Sequence, residues 1–416
     1  MMSDLSFNTA LEKDRHDNLA HFRSHFSLPE GIIYLDGNSL GVLPNGVMDH
    51  LQNAVTEDWG RGLIRSWNEA GWINLPEVVG AKIARIIGAS PDHVVMADST
   101  SINLFKVISA ACALNPDRKK IITERRNFPT DNYIAEGVIK QMGGSHQLVH
   151  LDEGDDIAAS LDKDTAVVML THVNYQTGRM HDMAAITKAA HDAGALVIWD
   201  LAHSAGAVPL SLEADNIDFA VGCSYKYLNG GPGAPAFVYV AERHLGGFTQ
   251  PLSGWFAHQS PFTFDPEYKP ASDIKQYLCG TPPVLSAIAL DAALVIWEYA
   301  DLNQLRAKSL ALTDYFVELV ESRCQGHDLT LITPREGDAR GSQVSFTHPE
   351  AAYAIISALI AEGVIGDFRA PNILRFGFTP LYTSFSDVWY AVDKLADILE
   401  TRRWDQPQFH QRKAVT

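Results

Sequence analysis

Between residues 93 and 240, short apolar runs alternate with longer stretches in which apolar residues recur every three or four positions. A short apolar run is typical of a buried strand, whereas the longer period is typical of a helix. Strands are predicted at 93–97, 120–123, 166–170, 195–199, 219–222 and 236–240, with helices between several of them. This alternation predicts an α/β fold whose large domain holds a mostly parallel, seven-stranded type of sheet flanked by helices.

The pattern differs at both ends of the chain. Residues 1–30 are predicted to form a helical arm, residues 31–282 the large domain, and residues 283–416 a smaller C-terminal α+β domain. Long helices are expected at 284–299 and 302–323, because their apolar positions keep a helical period. Strands at 329–332, 343–346 and 373–376, a helix at 350–363 and a last helix from residue 386 complete the C-terminal domain.

Composition narrows the class of protein. The chain has 416 residues, of which 46% are hydrophobic and 20% charged, as in soluble proteins of two or three domains. Its net charge of −17 argues against nucleic acid or an anionic membrane as a partner. The four cysteines form no metal-ligand pattern, so reduced thiols, no bound metal and a cytoplasmic location are expected. The N-terminus lacks a signal-peptide pattern, and no apolar run is long enough to cross a membrane.

An acid and a lysine each follow an apolar run. Asp200 ends the run 195–199, and Lys226 lies 26 residues later, just beyond the run 219–222. Pyridoxal phosphate (PLP) requires an amine to hold its aldehyde and a carboxylate to keep its ring nitrogen protonated. Taken alone, Asp200 could equally be a helix N-cap, and an isolated Lys226 would more often be a solvated loop residue. Their combination favours a PLP site.

Other residues at predicted strand ends could complete such a site. The segment Ser99-Thr100-Ser101 precedes a helix and could bind a phosphate, although plain N-capping is the commoner use of such residues. Phe128, before Pro129, could stack on a flat ring or could simply belong to the core. His203 and Tyr225 flank the acid and the lysine, and structural roles for them remain open.

Arginine and tryptophan residues suggest where a substrate binds. Arg375 lies within an apolar strand-like run, where its planar guanidinium could bind a substrate carboxylate or form an internal ion pair with an acid. Trp67 and Trp255 stand in polar or glycine-containing segments and could line a pocket for an aromatic substrate. An interface role is equally open for both tryptophans.

Several longer motifs resemble one family. The sequences YLDGNSLG, NFPTD, WDLAHSAGAVP, GCSYKYLNGGPG, PLSGWF, YLCGTPP and LRFGFTPLY are similar to those of the kynureninases, which are fold-type I PLP enzymes. The similarity extends over nearly the whole chain. It implies hydrolysis of L-kynurenine, and more weakly of 3-hydroxy-L-kynurenine, at the Cβ–Cγ bond to give anthranilate and L-alanine. This reaction belongs to tryptophan degradation and is linked to NAD biosynthesis.

The resemblance also implies a role for each site residue. Lys226 would bind the cofactor covalently and act as the general base, Asp200 would pair with the ring nitrogen, and Tyr225 would bind phosphate and relay a proton. The remaining cofactor contacts would come from Thr100, Ser101, Phe128, Pro129, Thr130, Asp131, Thr171 and His203. Trp255 and Thr281 would reach the cofactor from the second subunit of a homodimer. The substrate would meet Arg375, Asn38, Ser39 and Trp67.

One departure from the family pattern concerns specificity. Eukaryotic members are expected to carry asparagine where this chain has Thr281, and that asparagine favours the ring-hydroxylated substrate. Thr281 therefore points to plain L-kynurenine.

The sequence leaves three rivals, of which a decayed homologue serving only as a scaffold is disfavoured because all the expected catalytic residue types are present. A cysteine desulfurase of the same fold would need a reactive cysteine on a mobile loop, for which Cys279 is the candidate. A non-catalytic, PLP-binding regulator would usually carry a basic DNA-binding segment, which the acidic composition disfavours.

Overall fold

The structure is a computed structural model that describes residues 5–413. These residues form two compact units. The first comprises residues 46–174 and 181–298, and the second comprises residues 5–45, 175–180 and 299–413. The boundaries expected from sequence at residues 30 and 282 stay predictions.

In chain order the strands are β1 (Ile33–Tyr34), β2 (Val94–Met96), β3 (Lys120–Glu124), β4 (Gln147–Leu151), β5 (Thr165–Thr171), β6 (Leu196–Asp200), β7 (Phe219–Gly222), β8 (Phe237–Val240), β9 (Thr330–Leu331), β10 (Gln343–Thr347), β11 (Val364–Ile365), β12 (Asp367–Arg369) and β13 (Ile373–Gly377). The α-helices are α1 (Phe7–Arg15), α2 (Gly46–Asn53), α3 (Ser66–Glu69), α4 (Leu75–Ile87), α5 (Thr100–Leu114), α6 (Pro129–Gln141), α7 (Met183–Asp192), α8 (Val284–Ala293), α9 (Leu302–Arg323), α10 (Ala352–Ala361) and α11 (Phe385–Glu400).

The first unit is built on a seven-stranded sheet. Its strand order is β2-β8-β7-β6-β5-β3-β4, and β8 runs antiparallel to both of its neighbours while the other pairs are parallel. Strands β5 and β7 are buried along their whole length. Sheets covered by helices on both faces bury their strands in this way. The predicted fold, a mostly parallel sheet with flanking helices, is confirmed.

Two elements of the first unit differ from the expectation. Strand β4 was not predicted, because it lies at the sheet edge and its burial rises only gradually from exposed Gln147 to buried Leu151. The helix expected over 284–299 ends at Ala293 and continues as a 3-10 helix, Leu294–Glu298. Val295 and Ile296 are β-branched, and such side chains crowd the preceding turn of an α-helix.

The second unit combines a four-stranded antiparallel sheet, β12-β13-β10-β9, with the parallel pair β1 and β11. Helices α1, α9, α10 and α11 contribute to its core, in which Phe316 packs against Phe376 and Phe378. Residues 20–25 of the predicted N-terminal arm form a 3-10 helix rather than part of a longer α-helix. Across residues 5–413, no helix has the length and apolar character needed to cross a membrane.

Candidate active site

The sheet of the first unit places Thr171 and Asp200 side by side. They are the last residues of the neighbouring parallel strands β5 and β6, and they are partners in the strand register. Both are buried, and an Asp200 carboxylate oxygen accepts a hydrogen bond from the backbone N–H of Ala202 at 2.8 Å. The carboxyl edge of a parallel sheet is where ligands bind in such folds. The buried carboxyl group of Asp200 therefore lies at the edge of the sheet where a ligand is expected to bind.

A second acid lies beside Asp200. Asp131 occupies the first turn of α6 and is also buried. The Thr171 hydroxyl lies within hydrogen-bond distance of two acceptors, the side-chain oxygen of Asn127 and Asp131 Oδ2, the latter at 3.3 Å. Burial, followed by the charge of Asp200, raises the pKa of Asp131 well above its ordinary value. Burial also raises the pKa of Asp200, while Lys226 acts in the opposite direction on both acids. Two buried carboxyl groups therefore face a site that favours additional positive charge.

Lys226 meets His203 at this site. The Lys226 Nζ lies 2.9 Å from His203 Nε2, and His203 itself is buried. The turn that carries Lys226 is held by backbone hydrogen bonds from Asn229 N–H to Lys226 O and from Gly230 N–H to Ser224 O. Asn229 adopts a left-handed conformation, with φ of 57°, that tightens this turn. The backbone hydrogen bonds therefore fix the turn that carries Lys226, and the contact with His203 orients the Lys226 amine.

Tyr225 and three cysteines, Cys112, Cys223 and Cys324, have raised pKa values. The neighbouring thiol of Cys223, followed by burial, raises the pKa of Tyr225 above its ordinary value, so its phenol is protonated at neutral pH. Burial raises the pKa of Cys112 and of Cys324 to about 12, and it raises that of buried Cys223 as well. Nucleophilic cysteines need a depressed pKa. These three thiols are therefore unsuited to the role that a desulfurase requires.

The start of α5 offers an anion site. Ser99 is the N-cap, and its Oγ accepts a hydrogen bond from Ile102 N–H at 3.4 Å, as the capping alternative predicted. Thr100 and Ser101 follow in the first turn and are half-buried. Buried Lys106, one turn further on, forms an ion pair with Asp98 and donates to the backbone oxygen of Tyr277. Lys106 was not predicted as part of this region from the sequence, and its two contacts fix the start of α5 to the segments around Asp98 and Tyr277.

The start of α6 presents Phe128, Pro129 and Thr130. The Phe128 N–H donates to the side-chain oxygen of Asn127 at 2.9 Å, and Pro129 is the first helical residue. Phe128 remains 42% exposed, so its side chain is not fully packed in the core. Asn127 links this junction to the end of β5 through Thr171. It is a site residue that the sequence-based assignment left out.

Trp255 and Thr281 lie on adjacent segments of the first unit. The backbone N–H of Phe256 donates to the oxygen of Cys279 at 3.2 Å, and Gly254 packs so closely on Cys279 that a Cβ atom would clash with it. Trp255 is 36% exposed and contacts the rings of Phe262 and Phe264, which are also exposed. Thr281 is exposed as well. Half-buried Trp67 packs instead against Trp72 and Phe256.

Arg375, Ser39 and Asn38 belong to the second unit. The guanidinium of Arg375 on β13 is buried and forms an ion pair with Asp367, its register partner on β12. It also donates to Ser39 Oγ at 2.6 Å and to the backbone oxygen of Tyr175 at 2.8 Å. Asn38 is fully buried and donates to Gln343 at 3.1 Å. The internal ion pair that the sequence left as an alternative is therefore present, and its partner, Asp367, had not been identified.

Comparison with known proteins gives consistent results. The family model "Kynureninase C-terminal domain" matches residues 305–395, and "Cys/Met metabolism PLP-dependent enzyme" matches residues 77–235. A kynureninase from Pseudomonas fluorescens is 54% identical over 413 residues, which cover 98% of this chain and 99% of that protein. A kynureninase from Burkholderia mallei (strain SAVP1) is 53% identical over 411 residues, with 98% and 99% coverage.

Solved structures share the fold at lower identity. The apo structure of a cysteine desulfurase from Thermococcus onnurineus NA1 has a TM-score of 0.78 and 21% identity, covering 92% of this chain and 98% of that chain. The cysteine desulfurase CsdA from Escherichia coli has a TM-score of 0.77 and 22% identity, with 92% and 99% coverage. At this identity the similarity indicates a common fold and carries no information about the reaction.

Proposed function

Since the chain belongs to the kynureninase family, we propose that it is a PLP-dependent hydrolase that cleaves the Cβ–Cγ bond of L-kynurenine to anthranilate and L-alanine. This reaction degrades a product of tryptophan catabolism. The observation that carries the proposal is the buried Asp200 at the end of β6, in one site with Lys226, in a chain related to kynureninases over nearly its full length. The desulfurase alternative is only a distant relative in fold.

The residues present fit PLP. Two buried carboxyl groups, Asp131 and Asp200, have pKa values raised by burial, and a protonated pyridine nitrogen would supply the opposite charge that they lack. Lys226 supplies the amine, and the N-terminus of α5 supplies backbone N–H groups for a phosphate. When bound, PLP provides the electron sink for carbanion chemistry at the substrate.

The protein's own groups would then move protons at defined atoms. Lys226 would hold the cofactor and would serve as the general base that removes the proton from Cα of the substrate. His203, 2.9 Å from the lysine Nζ, orients that amine. Tyr225 keeps its phenol protonated and donates a proton to Cβ after the Cβ–Cγ bond breaks. One water is consumed, and its oxygen ends in the carboxylate of anthranilate.

The other residues would bind rather than react. We assign the phosphate to Thr100, Ser101 and Tyr225, the faces and edges of the ring to Phe128, Pro129, Thr130, Thr171 and His203, and the substrate to Arg375, Asn38, Ser39 and Trp67. Exposure of Phe128 supports a stacking role. Thr281 is assigned the preference for plain L-kynurenine over its 3-hydroxy form.

We also propose a cytoplasmic homodimer in which Trp255 and Thr281 complete the site of the partner subunit. The exposed aromatic side chains of Trp255, Phe262 and Phe264 support this arrangement, because contiguous apolar surface of this kind is typical of protein interfaces.

The decisive experiment combines activity with chemical trapping. Purified protein given L-kynurenine should produce anthranilate, measured by fluorescence, and an equal amount of L-alanine. Lys226→Ala should lower kcat by about 10³-fold or more, because the base and the covalent tether are both lost. Borohydride reduction of the wild type should leave a pyridoxyl group on the peptide that contains Lys226.

The matched control is Lys188→Ala. Lys188 is an exposed lysine of the same unit whose ion pair with Asp192 lies on the surface, so its removal should leave turnover within twofold. Near-normal activity of Lys226→Ala, or no adduct on its peptide, would refute the proposal. Release of sulfide from L-cysteine at the rate of a primary activity would favour the desulfurase instead.

A further inference from the structure

Two carboxyl groups surround the guanidinium of Arg375. Asp367 forms an ion pair with it, and Asp36, two residues after β1, places Oδ1 3.9 Å from the same terminal nitrogen. Ser39 links the group, because its hydroxyl accepts from Arg375 and lies 3.2 Å from Asp367 Oδ2. Arg369 adds a second guanidinium, 2.7 Å from Asp367. We call this group of four side chains the arginine cluster: Asp36, Asp367, Arg369 and Arg375.

Above pH 7, where Asp36 is ionised, the two acids and two arginines of the arginine cluster sum to zero charge before a substrate arrives. A substrate carboxylate beside Arg375 would bring a third negative charge into a cluster whose central guanidinium is 1% exposed. Like charges in a poorly solvated site disfavour simultaneous ionisation, so one acid is expected to be neutral in the complex.

Asp36 is the acid suited to take the proton. Burial, followed by the charge of Asp367, raises the pKa of Asp36 to about 7, although Arg375, Ser39 and Arg369 act in the opposite direction. Asp367 is held by direct ion pairs with both arginines, whereas Asp36 stands further from Arg375.

The phenols that face Asp36 do not titrate near neutral pH, whereas Asp36 does. Tyr34 and Tyr382 also face it, and burial raises the pKa of both phenols above the ordinary value, so neither is charged at neutral pH. Asp36 and Ser39 line a cavity of about 480 Å³ whose wall also includes Arg412 and Lys413. Water in such a cavity can deliver the proton.

We infer that Asp36 is a positioning residue that takes up a proton when the substrate α-carboxylate binds to Arg375, which couples substrate affinity to pH. The proton comes from solvent and returns to it when the carboxylate leaves, so no other reactant is needed. This inference rests on the proposed function, because it assumes that Arg375 binds the carboxylate.

The direction of the pH effect follows from the charges. Below pH 7, Asp36 is already protonated, and carboxylate binding requires no further proton. Above pH 7, the free protein must gain a proton to bind, so KM rises by up to about tenfold per pH unit until the pKa of the complex is reached. The effect falls on KM rather than kcat, because the complex already holds the proton.

The test compares wild type with Asp36→Asn at pH 6.5 and pH 8.5, with L-kynurenine as substrate. Between these values the wild-type KM should rise by up to about 20-fold more than the KM of the variant, whose amide cannot titrate. Asp338→Asn is the control, because Asp338 is an exposed acid of the same unit. It should keep the wild-type pH profile.

A second measurement needs no variant. Calorimetric titration of the holoenzyme with 4-oxo-4-phenylbutanoate, the substrate skeleton without its amines, is run at pH 7.5 in two buffers that differ in ionisation enthalpy. More than about half a proton should be taken up per bound carboxylate. Zero uptake, or parallel KM profiles for wild type and Asp36→Asn, would overturn the inference. Failure of the wild type to cleave L-kynurenine would instead overturn the proposed function.

Discussion

Replacing Asp200 with asparagine separates the electrostatic role of this residue from its structural one. The two side chains have nearly the same shape, and an asparagine oxygen can still accept the hydrogen bond from Ala202 N–H, which is 2.8 Å long in the wild type. Burial raises the pKa of Asp200, which means that the fold disfavours its charge. Loss of that charge should therefore change the free energy of unfolding by less than about 1 kcal/mol.

The rate should respond much more strongly than the stability. An ion pair at about 4 Å in an environment of effective dielectric constant near 20 is worth about 4 kcal/mol. If Asp200→Asn removes that stabilisation of the protonated ring nitrogen as charge moves into the ring, kcat should fall by about 10³-fold. Asp131, which is also buried at this site, could replace only part of the lost charge because its own pKa is raised well above its ordinary value.

The assay follows anthranilate fluorescence at saturating L-kynurenine, with the PLP content and the thermal midpoint measured on the same preparations. Asp192→Asn is the matched control, since Asp192 is an exposed acid of the same unit paired only at the surface with Lys188. If Asp200→Asn holds stoichiometric PLP and retains activity within tenfold of the wild type, the electrostatic reasoning is wrong. A large loss of folded protein would show instead that the carboxylate has a structural role.

Two further substitutions test the substrate side. Arg375→Ala should raise KM for L-kynurenine far more than it alters PLP content, and an unchanged KM in steady-state kinetics would contradict the carboxylate assignment. The same substitution should destabilise the protein by about 3 kcal/mol in thermal unfolding, because buried Asp367 loses its main partner. Thr281→Asn should shift the ratio of kcat/KM towards 3-hydroxy-L-kynurenine by about tenfold, as one added hydrogen bond allows; an unchanged ratio would remove Thr281 as the determinant of specificity.

Local pattern was sufficient for the strand ends that form the candidate site. The apolar runs that precede Thr171 and Asp200 predict buried strands, and the rule that parallel strands share a carboxyl edge predicts that these residues meet. The structure places them as register partners, with Lys226 and His203 in hydrogen-bond contact in the same unit. Pro129 is the first residue of α6, a position that the fixed φ and missing N–H of proline favour.

Elements whose conformation depends on tertiary contacts were not predicted from the local sequence. Strand β4 is recognisable only from its pairing with β3, because an edge strand needs no continuous apolar run. The turn from α8 into the 3-10 helix Leu294–Glu298 depends on a balance between packing and the preferences of β-branched residues. The helical period by itself is compatible with either conformation.

Residue order along this chain was enough to indicate a sheet edge with an acid and a lysine, because strand periodicity and chain direction are local properties. The arginine cluster was accessible only after folding, since Asp36 and Arg375 are brought within 3.9 Å although 339 positions separate them (375 − 36). Burial and charge at such distances set the pKa of Asp36 to about 7 and give Arg375 an internal partner. Desolvation and Coulomb interactions depend on distance in space, and only tertiary packing determines that distance.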